Sequence, residues 1–483
     1  MGQSPAELQA ASRKRLTAAS PKGFSDSCRL DTACGLRLAA YGCEALAAYG
    51  CEALAAYGCE VLAAYGLGLH CGLTSFKAMN DLIAELLAHD RVRAARHHIE
   101  RTDEVTLARQ AALSAVPAPT GAEGQRAARV AELFRELGLR DVGVDEVGNV
   151  VGWAGGGAAD VAPVVLAAHL DTVFGPDVNV AVERRGPRLE GPGISDNARG
   201  LAALLAVAEA IVTTRLPTAR PILFAATVGE EGSGDLRGVK HLLNGKREGG
   251  NGKPAGFIAL DGAGLERVVH RALGSRRYRV TFRGPGGHSW AAFGVANPAN
   301  AVGRAAALLA DLPAPGAPPA PRTTCAIVRL GGGTALNSIP QEAWIDLDLR
   351  SEDPKALAQL DVTVRAALDR ALDDENRRRT PATPLLGLDV RLVGDRPSGI
   401  TPRTHPLVQV AVAANRALGR DAELAAASTD ANVPIALGIP AIALGAGGRA
   451  GDAHLTTEWY ENTDGALGIV RALLVTLAMA EVE

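Results

Sequence analysis

Beyond residue 71 the chain has one cysteine, Cys325, whereas Cys28, Cys34, Cys43, Cys51, Cys59 and Cys71 crowd the front. A disulfide framework therefore cannot hold a body of roughly 400 residues, and that body reads as a reduced, cytoplasmic protein. Long apolar runs are missing too. No stretch approaches 18 uninterrupted apolar residues, so no transmembrane helix is expected. Arg13, Lys14 and Arg15 are not followed by an apolar segment with a small-residue cleavage site, so no signal peptide is expected either. Nor is there an excess of one charge: 50 Lys and Arg against 53 Asp and Glu leave −3, which gives no reason to expect nucleic acid or an anionic membrane as partner. What is present is size, 483 residues at 47% apolar content, enough for a large core and for two domains.

Methionine is scarce, three in all, and Met79 opens MNDLIAELLAHDRVRAARHHIERTDE, an amphipathic helical start. Ahead of it, residues 39–66 repeat AAYGCEAL, AAYGCEAL, AAYGCEVL and a partial AAYG. Eight residues at about 100° each overshoot two helical turns by roughly 80°, so no apolar stripe persists, and the glycine in each unit weakens a helix further. Thiolate sites favour tighter pairs such as Cys-x-x-Cys, which argues against a metal held by Cys43, Cys51 and Cys59. Residues 1–78 are therefore expected to be a poorly ordered, low-complexity extension, with Met79 as a candidate initiator.

From about residue 105 short apolar runs alternate with helical patterns, which predicts an α/β protein around a mainly parallel sheet. PVVLAAHLD (163–171) ends in His169 and Asp171, and PILFAATVGEE (221–231) ends in Glu230 and Glu231. GFIALDG (256–262) reaches Asp261, and IPAIALGAGG (439–448) is followed shortly by His454. Asp196 lies in GPGISDNARG, just ahead of a strongly apolar helix. Open α/β sheets bind ligands beyond the carboxyl ends of their strands. Taken singly, Asp196 is a helix-start residue and Glu230–Glu231 a surface pair; together they put unpaired charge at buried strand ends, which a metal would neutralise. His169, Asp196, Glu231, Asp261 and His454 supply two imidazoles and three carboxylates, a set for zinc, manganese or cobalt. That exceeds one tetrahedral site and suits two divalent ions sharing one carboxylate. Asp171, on the same strand face as His169, can hold that imidazole's other nitrogen, and Glu230 is left free to move a proton.

The motifs HLDTV, GISDNARG, TVGEEGSGD, ALDG and GDAHLTTEWY stand in the order found in the co-catalytic zinc exopeptidases. Over residues 105–483 the chain resembles that family, which includes peptidase T, carboxypeptidase G, aminoacylase and succinyl-diaminopimelate desuccinylase. The resemblance implies one metal on His169, Asp196 and Asp261 and another on Asp196, Glu231 and His454, with Asp196 bridging. It implies Glu230 as general base and Asp171 as the residue that orients His169. Asn197 departs from the commoner pattern, where an acid follows the bridging aspartate; that neighbour varies within the family, so the metal pair is still expected.

The family also carries an inserted lid, and a β-α-β-β-α-β order is legible across residues 274–396, which is the ferredoxin-like arrangement. The expected division is thus 79–273 and 397–483 for the catalytic domain and 274–396 for a lid and dimerisation domain. GPGGHSW (284–290) lacks the Gly-Lys-Ser/Thr ending of a phosphate loop. The resemblance instead makes His288 an oxyanion donor to a neighbouring subunit's site, and makes Asn337 and Arg350 substrate contacts. The activity implied is hydrolysis of C–N amide bonds in small peptides, of the peptidase T-like aminopeptidase or dipeptidase kind. The alternatives are an N-acyl-amino-acid deacylase and a non-catalytic metal-binding relative.

Overall fold

The computed structural model describes residues 72–157, 160–244, 253–312 and 321–482. The octapeptide array, and the expectations placed on residues 1–71, lie outside them. A helix Gly72–Ala88 runs through Met79, and Ile83 and Leu86 from it enter the main core.

Nine strands form the main sheet. From one edge the order is 140–144, 150–154, 222–227, 164–169, 256–260, 441–444, 267–272 and 399–400, and 423–427 also pairs with 267–272. The four central strands, Ile222–Thr227, Val164–His169, Gly256–Leu260 and Ala441–Leu444, run parallel to one another. Every residue in them is buried. That is why they read as continuous apolar runs rather than alternating ones. The period of two still decides which layer each side chain joins. Val164, Leu166 and Ala168 pack with the helices Ala198–Thr214 and Gly465–Ala480, while Val165 and Ala167 pack with Val239 and Leu242 of the helix Arg237–Asn244. Both faces are thereby covered, and the carboxyl ends of the parallel strands share one edge.

After strand Arg267–Ala272 the chain leaves this sheet and builds a second, fully antiparallel one, ordered 323–332, 342–351, 274–283, 387–396. Helices Pro298–Ala310 and Pro354–Arg378 cover one face, where Tyr278, Val280, Phe282, Ile345, Leu347 and Leu349 form a separate core. Both helices open with an Asn or Asp cap followed by proline: Asn297 accepts from the N–H of Ala299 and Asp353 from that of Ala356. The expected β-α-β-β-α-β order is present, in the ferredoxin-like arrangement. Where the chain crosses between the two sheets, the buried Asn432 amide donates to the carbonyls of both Leu273 and Pro397 at 2.9 Å. Among the described residues no helix is long and apolar enough to cross a membrane.

Candidate metal centre

Three neighbouring parallel strands deliver the acidic and imidazole groups. His169 is the last residue of Val164–His169, and Asp261 directly follows Gly256–Leu260. Past Ile222–Thr227 the chain turns at Gly229, whose φ of 64° and crowding against the Arg237 side chain leave no place for a Cβ, and then presents Glu230 and Glu231. Asp196 precedes helix Ala198–Thr214, whose cap Asn197 accepts from the N–H groups of Gly200 and Gly262 and donates to the Leu260 carbonyl. That one amide ties the Asp196 loop to the end of the strand that carries Asp261. His454 sits at φ 68° in the loop between strands Arg449–Gly451 and Trp459–Glu461, a conformation that non-glycine residues seldom hold without reason.

These side chains converge. His169 Nε2 lies 3.1 Å from Asp196 Oδ1 and 3.9 Å from Asp261 Oδ1. His454 Nε2 lies 3.2 Å from Asp196 Oδ2 and 3.2 Å from Glu231 Oε1. The two oxygens of Asp196 therefore face different imidazoles. Ligand atoms of His169, Asp196 and Asp261 fall within 4.8 Å of one another, and so do those of Asp196, Glu231 and His454. Asp196 Oδ1 is buried and, apart from the His169 ring nitrogen beside it, has no hydrogen-bond donor, an arrangement that a cation would satisfy. The donor set and this orphaned oxygen fit a divalent metal pair, with His169 and Asp261 on one side, Glu231 and His454 on the other, and Asp196 between.

Without a cation these groups are strongly perturbed. Burial, and then the neighbouring Asp196 charge, push Asp261 up to about 7. Burial drives Glu230 well above its ordinary value although Arg396 pulls the other way. Hydrogen bonds that its ring donates to Asp196 and Glu231 raise His454 to about 10. For His169, burial favours the neutral ring, but Asp171 and Asp196 outweigh it and the imidazole is raised well above normal. The shifts mark a site that favours positive charge, which a divalent ion would supply.

Several residues that the motifs did not single out hold this geometry. Arg396, at the end of strand Gly387–Arg396, is buried against Glu230, donating to Oε1 at 3.0 Å and also to the Glu230 carbonyl. Glu458 is buried four residues past His454, and its carboxylate accepts from the N–H groups of Gly193, Ser195 and Asp196 and from the Ser195 hydroxyl, at 2.7–2.9 Å. One side chain therefore links the Asp196 loop to the His454 loop. Asp171 has a similar duty: its oxygens accept from the N–H groups of Glu230 and Glu231 at 2.9 Å and from Thr120 at 2.9 Å. Burial opposes its charge, but His169 and then the Glu231 and Glu230 N–H groups lower it to about 2. His169 Nδ1 lies 3.1 Å from the Asp171 carbonyl and 3.6 Å from its carboxylate. A sequence cue existed for Glu458, an acid four residues beyond the late histidine; for Arg396 there was none.

The three residues expected to touch substrate divide. Arg350 lines the cleft together with Asp196, Glu230, Glu231, Asp261 and His454. His288 and Asn337 do not; they sit on an exposed two-stranded ribbon of Gly287–His288 and Ser338–Ile339, where the Ser289 N–H donates to the Asn337 carbonyl. His288 Nδ1 accepts from the backbone N–H of Trp290 at 3.2 Å, which leaves Nε2 as the protonated nitrogen.

The model of peptidase family M20/M25/M40 matches residues 165–480. The chain belongs to that family. Its fold is shared with solved structures at low identity. Aminopeptidase PepT from Bacillus cereus superposes with a TM-score of 0.62 at 21% identity, covering 78% of this chain and 99% of that one. A tripeptidase from Staphylococcus aureus gives 0.63 at 23%, covering 78% and 98%. An amidase of the hydantoinase/carbamoylase family from Burkholderia vietnamiensis gives 0.60 at 19%, covering 79% and 97%. No curated protein matched in sequence. This M20/M25/M40 member is therefore a hydrolase of the peptidase or amidase kind, from a metal-dependent family, with a cluster of side chains able to hold metal.

Proposed function

We propose that the protein hydrolyses the C–N amide bond of short peptides at a centre of two divalent ions, zinc in the first instance, with cobalt or manganese able to serve. The observation that carries this reading is Asp196, whose two oxygens face two separate sets of ligands. Bound there, the ions would polarise the scissile carbonyl and lower the pKa of water. Glu230 is the one carboxylate of the adjacent Glu230–Glu231 pair that the bridged arrangement leaves free. It takes the proton from the attacking water and returns it to the departing nitrogen. Asp171 fixes Glu230 by holding its N–H, and Arg396 holds its carboxylate. Residues 274–396 act as a lid, through which two chains pair; the exposed His288 then donates its Nε2–H to the developing oxyanion of the partner's substrate. Arg350 clamps a substrate carboxylate. Cytoplasmic residence follows from the near absence of cysteine in the body.

A second reading, hydrolysis of N-acyl amino acids, has an observation in its favour. Every carboxylate that lines the cleft, Asp196, Glu230, Glu231 and Asp261, belongs to the metal cluster or to its adjacent base, which leaves none to receive a free amino terminus. One experiment separates the readings. The chain, reloaded with zinc, cobalt or manganese, is incubated with a pool of di- and tripeptides and N-acyl amino acids, and each component is followed by mass spectrometry. Peptide loss that is missing in Glu230→Ala supports the first reading, and loss confined to acyl amino acids the second. No loss with any metal, despite two bound ions, would return weight to a non-catalytic metal binder.

A further inference from the structure

Four arginines share the cleft with the metal cluster. Arg267, Arg277, Arg350 and Arg396 line the same volume of about 300 Å³ as Asp196, Glu230, Glu231, Asp261 and His454. Once divalent ions take up Asp196, Glu231 and Asp261, and with Glu230 paired to Arg396, the cluster leaves no carboxylate to balance Arg267, Arg277 and Arg350. Outside the cluster, the carboxylate these arginines reach in a described ion pair is Asp348. Three guanidiniums against one carboxylate leave an excess that a single substrate carboxylate does not cancel.

The excess has a place. Arg277 and Asp348 stand directly opposite in the antiparallel pair of strands Gly274–Arg283 and Glu342–Ser351, while Arg350, two residues on, opposes Ser275. Such diagonal neighbours lie on one face of a sheet and within reach of each other's long side chains. Arg350 donates to Asp348 Oδ2 at 2.9 Å, and Arg277 Nε is 3.8 Å from Asp348 Oδ1. Arg277 also donates to the Gly232 carbonyl, in the turn that follows Glu231. Each guanidinium has five N–H groups, so most of this pair's donors are not committed to Asp348. The buried Arg396 Nε has no hydrogen-bond partner at all. Burial, and then the nearby Arg396 and Arg350 charges, lower the pKa of Arg277 against the pull of Asp348 and Asp235.

We propose that the cleft takes amide substrates carrying two carboxylates, one clamped by Arg350 and the second received by Arg277 beside it. The proposal rests on the hydrolytic reading above and narrows its substrate class. The second carboxylate can come from an acidic residue of a short peptide or from a dicarboxylic acyl group on an amino acid. A planar fork binds either one bidentately.

The test compares isosteres that differ only in charge. Wild-type protein, zinc-loaded, is assayed with Ala-Glu against Ala-Gln, and with N-succinyl-alanine against its mono-amide. The charged member of one pair is expected to show kcat/KM higher by about tenfold or more, the scale of one charge-assisted hydrogen bond, and the pair that responds names the source. In Arg277→Gln that ratio should fall to within about twofold. Calorimetry of glutarate against glutaramate on the same loaded protein needs no turnover, and glutarate should bind about tenfold tighter. If nothing is hydrolysed yet glutarate is preferred and Arg277→Gln abolishes the preference, the anion site stands and the hydrolytic reading falls. If substrates are hydrolysed but charged and neutral members are handled alike in both measurements, this proposal falls and the hydrolytic reading stands. A preference that survives in both Arg277→Gln and Arg350→Gln also overturns it, because the anion then sits elsewhere.

Discussion

At the strand ends His169, Asp171, Glu230 and Glu231 are buried, and the backbone that carries them is tied down by side chains of the same chain. On the ribbon of Gly287–His288 and Ser338–Ile339 the conditions are reversed. His288 and Asn337 stand in solvent beside Trp290 and Phe293, each 87% exposed. A buried carboxylate demands compensation on the spot, so the strand-end cluster comes with Asp171, Glu458 and Arg396 around it. An exposed ribbon with two bare aromatic rings has no such internal bookkeeping, and what it does is set by what it meets. The strand-end cluster is supported by side chains of its own chain, whereas the part proposed for the ribbon rests on a second chain that would cover it.

The largest expected effect lies at the strand ends. Glu230→Ala should lower kcat by roughly a hundredfold to ten-thousandfold, the range for a lost general base, while the metal content stays at the wild-type value. Turnover unchanged, or metal lost with the side chain, would remove Glu230 from that role. Next comes Glu458→Gln. The substitution keeps the size of the side chain but places an NH2 among the N–H donors of Gly193, Ser195 and Asp196. Metal affinity should fall by about tenfold to a hundredfold, as for other residues that orient a ligand, with circular dichroism unchanged. Affinity at the wild-type value in a chelator competition would show that the Asp196 loop holds its shape without Glu458.

The same contrast explains what could be read without coordinates. Except for His454, which lies ten residues past Ala441–Leu444, the cluster was legible because its members stand within a few residues of a buried apolar strand or helix, so local order along the chain foretold place in space. The ferredoxin-like order was legible because strands such as Glu342–Ser351 alternate buried and open residues and both helices announce themselves with Asn-Pro or Asp-Pro. Arg396 and Arg277 were not legible. Their importance arises when strands Gly387–Arg396 and Gly274–Arg283 bring them against Glu230 and Gly232, more than 40 residues away in sequence, and a lone arginine at a strand end carries no signature of that. The sequence presents Asp171 as a partner of His169, whereas its bonds to the N–H groups of Glu230 and Glu231 depend on the register of two parallel strands.

Removing the metal should turn the strand-end cluster into a pH-dependent weakness. Asp261, raised to about 7 from an ordinary 3.8, keeps its proton in the folded chain over a range where the unfolded chain has released it. The folded state binds more protons there, so stability is greatest below about 4 on this account and declines as pH rises towards 7. His454, raised to about 10 from 6.5, extends the decline through the range between those values. Thermal midpoints of the chelator-treated protein should therefore fall with rising pH over these windows, and zinc should abolish the trend. A midpoint flat from pH 4 to 7 without metal would mean that the cluster relaxes apart when empty.

The smallest expected effect on the single chain is at the ribbon, which makes it the sharpest test of the contrast. Trp290→Ser combined with Phe293→Ser removes two rings that touch little of their own chain, so the stability of an isolated chain should change by no more than about 0.5 kcal/mol. If these rings are covered by a second copy, the double variant should sediment as a monomer at concentrations where the wild type is a dimer. Its activity should then drop as far as that of His288→Ala, roughly a hundredfold for a lost oxyanion donor, because His288 would no longer reach the other chain's cleft. A wild type that is monomeric while active would break the link between ribbon and cleft, and would leave the strand-end cluster and its arginines as the whole of the machinery.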